Sequence, residues 1–153
     1  MKKQHQQRSE ARRIALQALY QAQVQGDDFM NSLLPEFIAQ QTDDMHVREL
    51  AASMCSGAWE YRLTADQWTQ RLMPHWTTSR LATVDLNLIR LALWELTQQP
   101  ETPPKVVLDE AINLAHAFST QDSASFINGV LNAALQEHLA STKPGTGANH
   151  DEA

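Results

Sequence analysis

Residues 81–97 read Leu-Ala-Thr-Val-Asp-Leu-Asn-Leu-Ile-Arg-Leu-Ala-Leu-Trp-Glu-Leu-Thr, and this stretch decides the fold. On a helix, Leu81, Val84, Leu86, Leu88, Ile89, Leu91, Leu93 and Leu96 occupy most of the circumference. They leave a polar line along Asn87, Arg90 and Thr97, with Trp94 between. A helix apolar on nearly every side has to be enclosed by other helices. Two candidates follow at once: residues 103–118, apolar at 104, 107, 108, 111, 114, 115 and 118, and residues 123–139, apolar at 126, 127, 130, 131, 134 and 135. Both fit a period of 3.6. The expected centre is a buried helix clasped by two amphipathic ones.

Upstream, residues 9–25 form a helix with Ala11, Ile14, Ala15, Ala18, Leu19 and Ala22 on one face, stopped by Gly26-Asp27-Asp28. Residues 29–40 are a weaker helix carrying Leu33, Leu34, Phe37 and Ile38, with Pro35 suited to a helix start. Asp43 or Asp44 caps the next helix, which bears Val47, Leu50, Ala51, Met54, Cys55, Ala58 and Tyr61. Thr64 to Gln67 has capping-box spacing ahead of Trp68, Leu72 and Trp76, an aromatic stripe read as core rather than a base-stacking platform. A polar junction at 77–79 leads into the central helix. Pro103 and Pro104 suit a first turn, and Asp109 and Glu110 lie early in that helix, where its dipole favours them without any catalytic role. Asp122 or Ser123 caps the last helix. Gly129 inside it costs about 1 kcal/mol relative to alanine, so a neighbouring backbone is expected to approach closely there. From Ala140 the pattern gives way to Ser, Thr, Pro, Gly and charge, and 140–153 is expected to be a disordered tail. Some seven helices and no competing strand pattern give an all-α fold over residues 1–139.

With 153 residues, 42% of them apolar and 20% charged, the chain is long enough for one soluble domain with a sizeable core. No apolar run could span a membrane, and the polar start is not a secretory signal, so a cytoplasmic address is expected. The single cysteine, Cys55, reads as a small buried hydrophobe. The net charge of −6 is uneven: Lys2, Lys3, Arg8, Arg12 and Arg13 against Glu10 make residues 1–13 locally +4, leaving −10 elsewhere. A basic arm on an acidic body suits local phosphate contact, and equally a solubilising terminus. Arg8 and Arg12 stand one turn apart, so both can reach successive phosphates. There is no glycine-rich phosphate loop, nucleophile elbow, H-E-x-x-H or Cys-x-x-Cys, and the histidines are scattered. These absences argue against an enzyme, a metal or a cofactor. The residues by themselves describe an all-α adaptor with a basic N-terminal arm.

Three blocks go further. Residues 12–20, Arg-Arg-Ile-Ala-Leu-Gln-Ala-Leu-Tyr, resemble the opening helix of the NusB family of transcription antitermination factors. Residues 84–96 resemble that family's central helix, and 104–118 together with Ser-Phe-Ile-Asn-Gly-Val-Leu at 125–131 are similar to its last two. The resemblance covers about half the chain, in the family's order. It implies two packed three-helix bundles and a non-enzymatic role. It further implies pairing with NusE, the ribosomal small-subunit protein, binding of boxA RNA by the pair, and action on the RNA polymerase elongation complex in ribosomal RNA transcription. Carried over by position, the RNA surface would use Lys2, Lys3, Arg8 and Arg12 with Lys105, Asp122 and Phe126, while NusE would meet Tyr20, Asp85 and Arg90. Periodicity, by contrast, makes Phe126 a core residue; Asp85 reads equally as a helix cap, and Tyr20 as a half-buried core residue or an exposed partner contact.

The chain departs from the resembled pattern at its start. Where relatives carry a dense arginine run it has Arg8-Ser-Glu-Ala-Arg12, so phosphate contact is thinned or displaced to Arg13, Lys2 and Lys3, and RNA binding without NusE is expected to be weak. Trp94 stands where tyrosine is common, and Asp109 where asparagine is. Two other readings compete: a protein-interaction module that has lost RNA binding, and an isolated domain of the kind found in ribosomal RNA cytosine methyltransferases. Self-association into a homodimer is left open by the sequence.

Overall fold

The computed structural model describes residues 2–75 and 81–142; Trp76, the junction at 77–79 and the tail from 143 onward lie outside the described residues. Seven α-helices follow in order: α1 (Lys2–Gln25), α2 (Leu34–Gln41), α3 (Met45–Glu60), α4 (Arg62–Leu72), α5 (Thr83–Gln98), α6 (Pro104–Phe118) and α7 (Gln121–Thr142), with a π turn at Phe29–Leu33 before α2. No strand occurs among the described residues. Helices α1, α2 and α3 pack on one another, as do α5, α6 and α7, and α4 lies against α5 and α7. Helix α5 also touches α1 and α3 and joins the two bundles. Every residue from Asp85 to Leu96 is buried, as an all-round apolar pattern requires.

Several ends differ from the sequence expectation. The basic arm is no loose arm: α1 begins at Lys2, and Gln7 Nε2 donates to Asp44 Oδ2 at 2.9 Å, tying the first turns to α3. Asp44 also accepts from the backbone N–H groups of His46 and Val47 as the cap of α3. These bonds, that from Gln7 foremost, hold its carboxyl below the usual carboxylate range. Thr64 caps nothing, because α4 has already started at Arg62. Helix α7 is capped by Thr120, whose Oγ1 accepts from the backbone N–H of Ser123, rather than by Asp122 or Ser123. The last helix continues through residues 140–142, which the pattern assigns to the tail. Gly26, at φ +86°, ends α1 in the left-handed region that glycine adopts without strain.

The backbone approach expected at Gly129 is not found among the described residues; the crowded glycine is Gly57, and a side chain crowds it. A Cβ on Gly129 would meet only Met73 Cε at 3.7 Å, an ordinary contact. A Cβ on Gly57 would collide with the indole of Trp94. Gly57→Ala is expected to destabilise the chain by about 1–3 kcal/mol, because overpacking outweighs the gain of up to ~1 kcal/mol in helix propensity. Urea denaturation measures it, and a variant as stable as the parent would show that the indole has room to move.

Candidate functional site

The candidate RNA residues fall into two groups. Lys2 and Lys3 open α1, Lys3 exposed and Arg8 half-buried one turn further on. Arg13 is half-buried beside Glu10 at 3.4 Å and donates to Gln17 at 3.2 Å, on a different stripe. Lys105 is exposed in the first turn of α6, 3.6 Å from Asp109. The α5–α6 loop and the start of α6 face His5 and Arg8 over a cleft of about 220 Å³. Asp122 and Phe126 are at the other end of the α6–α7 hairpin, since α6 is 15 residues long and therefore roughly 20 Å. Asp122 is exposed and Phe126 half-buried against the core.

Arg12 does not join either group. Its guanidinium is buried, with Nε 2.9 Å from Glu95 Oε1 and Nη2 2.6 Å from Glu95 Oε2, and with Nη1 3.5 Å from Glu110 Oε1. Burial by itself pulls its pKa down, but the hydrogen bond and charge of Glu95, then the charge of Glu110, outweigh it and hold the guanidinium above its ordinary value. A side chain so enclosed cannot neutralise a phosphate as the sequence reading supposed. Glu110 also accepts from Ser9 Oγ at 2.8 Å and lies 3.8 Å from His5 Nε2. Residues 5, 9 and 12 of α1 thus meet one carboxylate of α6, and the basic turn is fixed to the body. Reading Glu110 as a dipole partner missed this. The available signal was Glu95, an acid inside an apolar helix, which calls for a cation.

Tyr20, Asp85 and Arg90 separate just as clearly. Tyr20 is 40% exposed and lines an open groove of about 470 Å³ with Leu16, Phe37, Val84 and Phe118. Arg90 is buried, donating through Nε and Nη2 to Asp66 at 2.8 and 2.6 Å and through Nη1 to Gln23 at 2.6 Å. It clamps α1, α4 and α5 together and offers no face to a partner. Asp85 is buried too and accepts from Ser119 Oγ. It fixes the residue next to Phe118, and so acts on the groove wall from behind rather than by touching a partner. Phe118, 38% exposed, was placed on the core face by its period; only the end of α6 leaves it uncovered.

Other chemistry is sparse. Cys55 is buried and its thiol is pushed up to about 12 by burial, in keeping with a packing role. Among the described residues, no group of three or more His, Cys, Asp or Glu could hold a metal ion, and no helix is long and apolar enough to cross a membrane.

Two three-helix bundles joined through a buried helix, with a basic helix end at one edge and an apolar groove at another, define an all-helical adaptor. The NusB family model matches residues 9–136, and the chain belongs to the NusB family. It is 40% identical over 126 residues to the transcription antitermination protein NusB of Bifidobacterium animalis subsp. lactis (strain AD011), spanning 82% of this chain and 81% of that one. T. maritima NusB superposes with a TM-score of 0.74 at 30% identity, over 86% of this chain and 92% of that one. Antitermination factor NusB, solved with NusE and double-stranded RNA, superposes at 0.77 with 23% identity over 86% and 98%, a likeness of fold alone.

Proposed function

We propose that this chain is a transcription antitermination factor. It pairs with NusE, binds boxA RNA of nascent ribosomal RNA transcripts, and promotes processive elongation by RNA polymerase. The role is non-enzymatic and cytoplasmic. One observation supports the reading: α1 carries basic residues at its start and one wall of the apolar groove further along. Lys3 and Arg8 lie at its start, and Leu16 and Tyr20 line the groove about 18 Å further along, at a rise of 1.5 Å per residue. RNA at one end and a protein at the other would be held in fixed register by one rigid helix. Asp122 and Phe126 would extend the RNA path along the α6–α7 hairpin, with Phe126 offering a face on which an unpaired base could stack. Arg13 contributes charge from the adjacent stripe. The burial of Arg12 thins the basic surface further and gives some support to a protein-only module, so RNA affinity is the deciding measurement.

Tyr20→Asp tests the reading. Tyr20 is exposed, so the fold survives, and a tyrosine at the centre of an interface commonly dominates binding. Calorimetry should show NusE affinity lowered by about 2 kcal/mol, or roughly thirtyfold. BoxA RNA titrated against the chain alone should bind as before, and against the mixture with NusE it should bind more weakly. Wild-type NusE affinity in the variant would remove the groove from the partner surface. No boxA binding by the unsubstituted mixture would leave the protein-only module.

A further inference from the structure

Helix α4 is attached differently from the other six. Of its 11 residues only Ala65 and Thr69 are buried, and the Thr69 hydroxyl is spent on Ala65 O of the same helix at 2.9 Å. Every other helix buries at least one Ile, Leu or Val side chain, whereas Trp68 and Leu72 of α4 are only half-buried against the core. Little apolar transfer energy therefore holds α4 down. Charge holds it instead. Asp66 takes a two-point contact from Arg90 of α5, at 2.8 and 2.6 Å. Arg71 makes a second to Glu137 of α7, at 2.8 and 2.9 Å, and Trp68 Nε1 donates to the same carboxylate at 3.0 Å.

Both ends of the helix favour movement as a unit. Tyr61 alone separates α4 from α3, closing one helix and opening the next without a side-chain cap, so a change in its two dihedrals swings α4 as a rod. At the far end Met73 Cε lies 3.7 Å from where a Cβ on Gly129 of α7 would stand, and finds no side chain there to interlock with. Separating the ion pairs also costs little. A closed pair has given up hydration that opening returns, so attraction and desolvation nearly cancel. Arg90, 6% exposed under α4, keeps Gln23 Oε1 at 2.6 Å and Asn87 Oδ1 at 3.1 Å, neither of which belongs to α4. Its seat on α1 and α5 survives without Asp66.

We propose that α4 is a hinged cover, shut by the Asp66–Arg90 and Arg71–Glu137 pairs, that lifts from α5 and α7 about Tyr61 while the other helices stay packed. Lifting makes available the Arg90 guanidinium and the α5–α7 surface beneath α4. The device is salt-sensitive, because the Arg71–Glu137 pair lies in solvent, where added ions screen it. This inference is independent of the RNA and NusE readings above.

Hydrogen–deuterium exchange, followed peptide by peptide on the full chain without any partner, tests it. Amides of α4 should exchange at least about tenfold faster than those of α3 and α5, as a locally opening unit does. Raising salt from about 0.05 M to about 0.5 M should speed α4 about twofold and leave α3 and α5 unchanged. Glu137→Gln, which removes the outer charge and keeps an acceptor for Trp68, should give a similar twofold rise at low salt and abolish the salt response. Asp66→Asn, which weakens the enclosed pair, should speed α4 about tenfold with α1, α3 and α5 still protected. Protection of α4 equal to that of α3 and α5, or the absence of a salt response, would overturn the hinged cover. So would faster exchange spread evenly over all helices in either variant, or outright unfolding of Asp66→Asn, since α4 would then be part of the cooperative core.

Discussion

Replacing Arg12 by alanine lowers the stability of the chain by about 3–5 kcal/mol, the range for removing one partner of a buried ion pair. Both side chains of the Arg12–Glu95 pair are almost wholly enclosed, at 3% and 4% exposure, and Nη2 lies 2.6 Å from Oε2. Without the guanidinium, Glu95 would be left charged among the apolar side chains of α5 and its neighbours, with no cation to balance it. The expectation differs sharply from that for an exposed pair such as Arg71–Glu137, whose charges water screens in either state. Urea denaturation with an unchanged m-value is the measurement. The double change Arg12→Met with Glu95→Leu should recover most of the loss, since it removes both charges and restores apolar volume. A loss below about 1 kcal/mol for Arg12→Ala would return Arg12 to the surface and to the phosphate role that its spacing from Arg8 suggests.

Leu91→Ala should cost about 2–5 kcal/mol. Leu91 is 2% exposed on the helix that joins the two bundles, so the cavity left behind opens inside the core. The lost transfer energy of the removed carbons and the cavity each contribute, and the share between them depends on how far α6 and α7 can relax inward. A loss below about 1 kcal/mol would mean that α5 lies outside the core.

Much of this architecture is legible in the chain. The positions of α3, α5 and α6 follow from apolar spacing alone, because helical periodicity reports directly which face is buried. The misplaced ends have local causes. Thr64 stands at capping spacing, but α4 runs on from α3 with only Tyr61 between and needs no side-chain cap. Thr120 supplies the cap of α7 although two better-known capping residues follow it.

The candidate sites are less legible, and the reason is common to Arg12, Asp85 and Arg90. Each is a charged residue on a helix whose sequence says which stripe it occupies but not what stands opposite. Glu95 is 83 residues from Arg12, and Asp66 is 24 from Arg90. A charge whose partner is that distant reads as free until the helices are packed. Tyr20 illustrates the converse. It reads as half-buried, yet the groove beside it exists only because Phe37, Val84 and Phe118 come from three other helices.

An all-α fold, an enclosed central helix and an uneven charge with its basic end first are written in the chain. All of these follow from composition and from the period of apolar residues along one chain. Tertiary structure alone decided which charges are spent inside the protein and which remain for a partner. It also decided that glycine is required at 57 rather than 129, and that a groove and a cleft open at opposite ends of α1. Those outcomes depend on distances between residues remote in sequence, and pairing energy, excluded volume and burial act only once such residues meet.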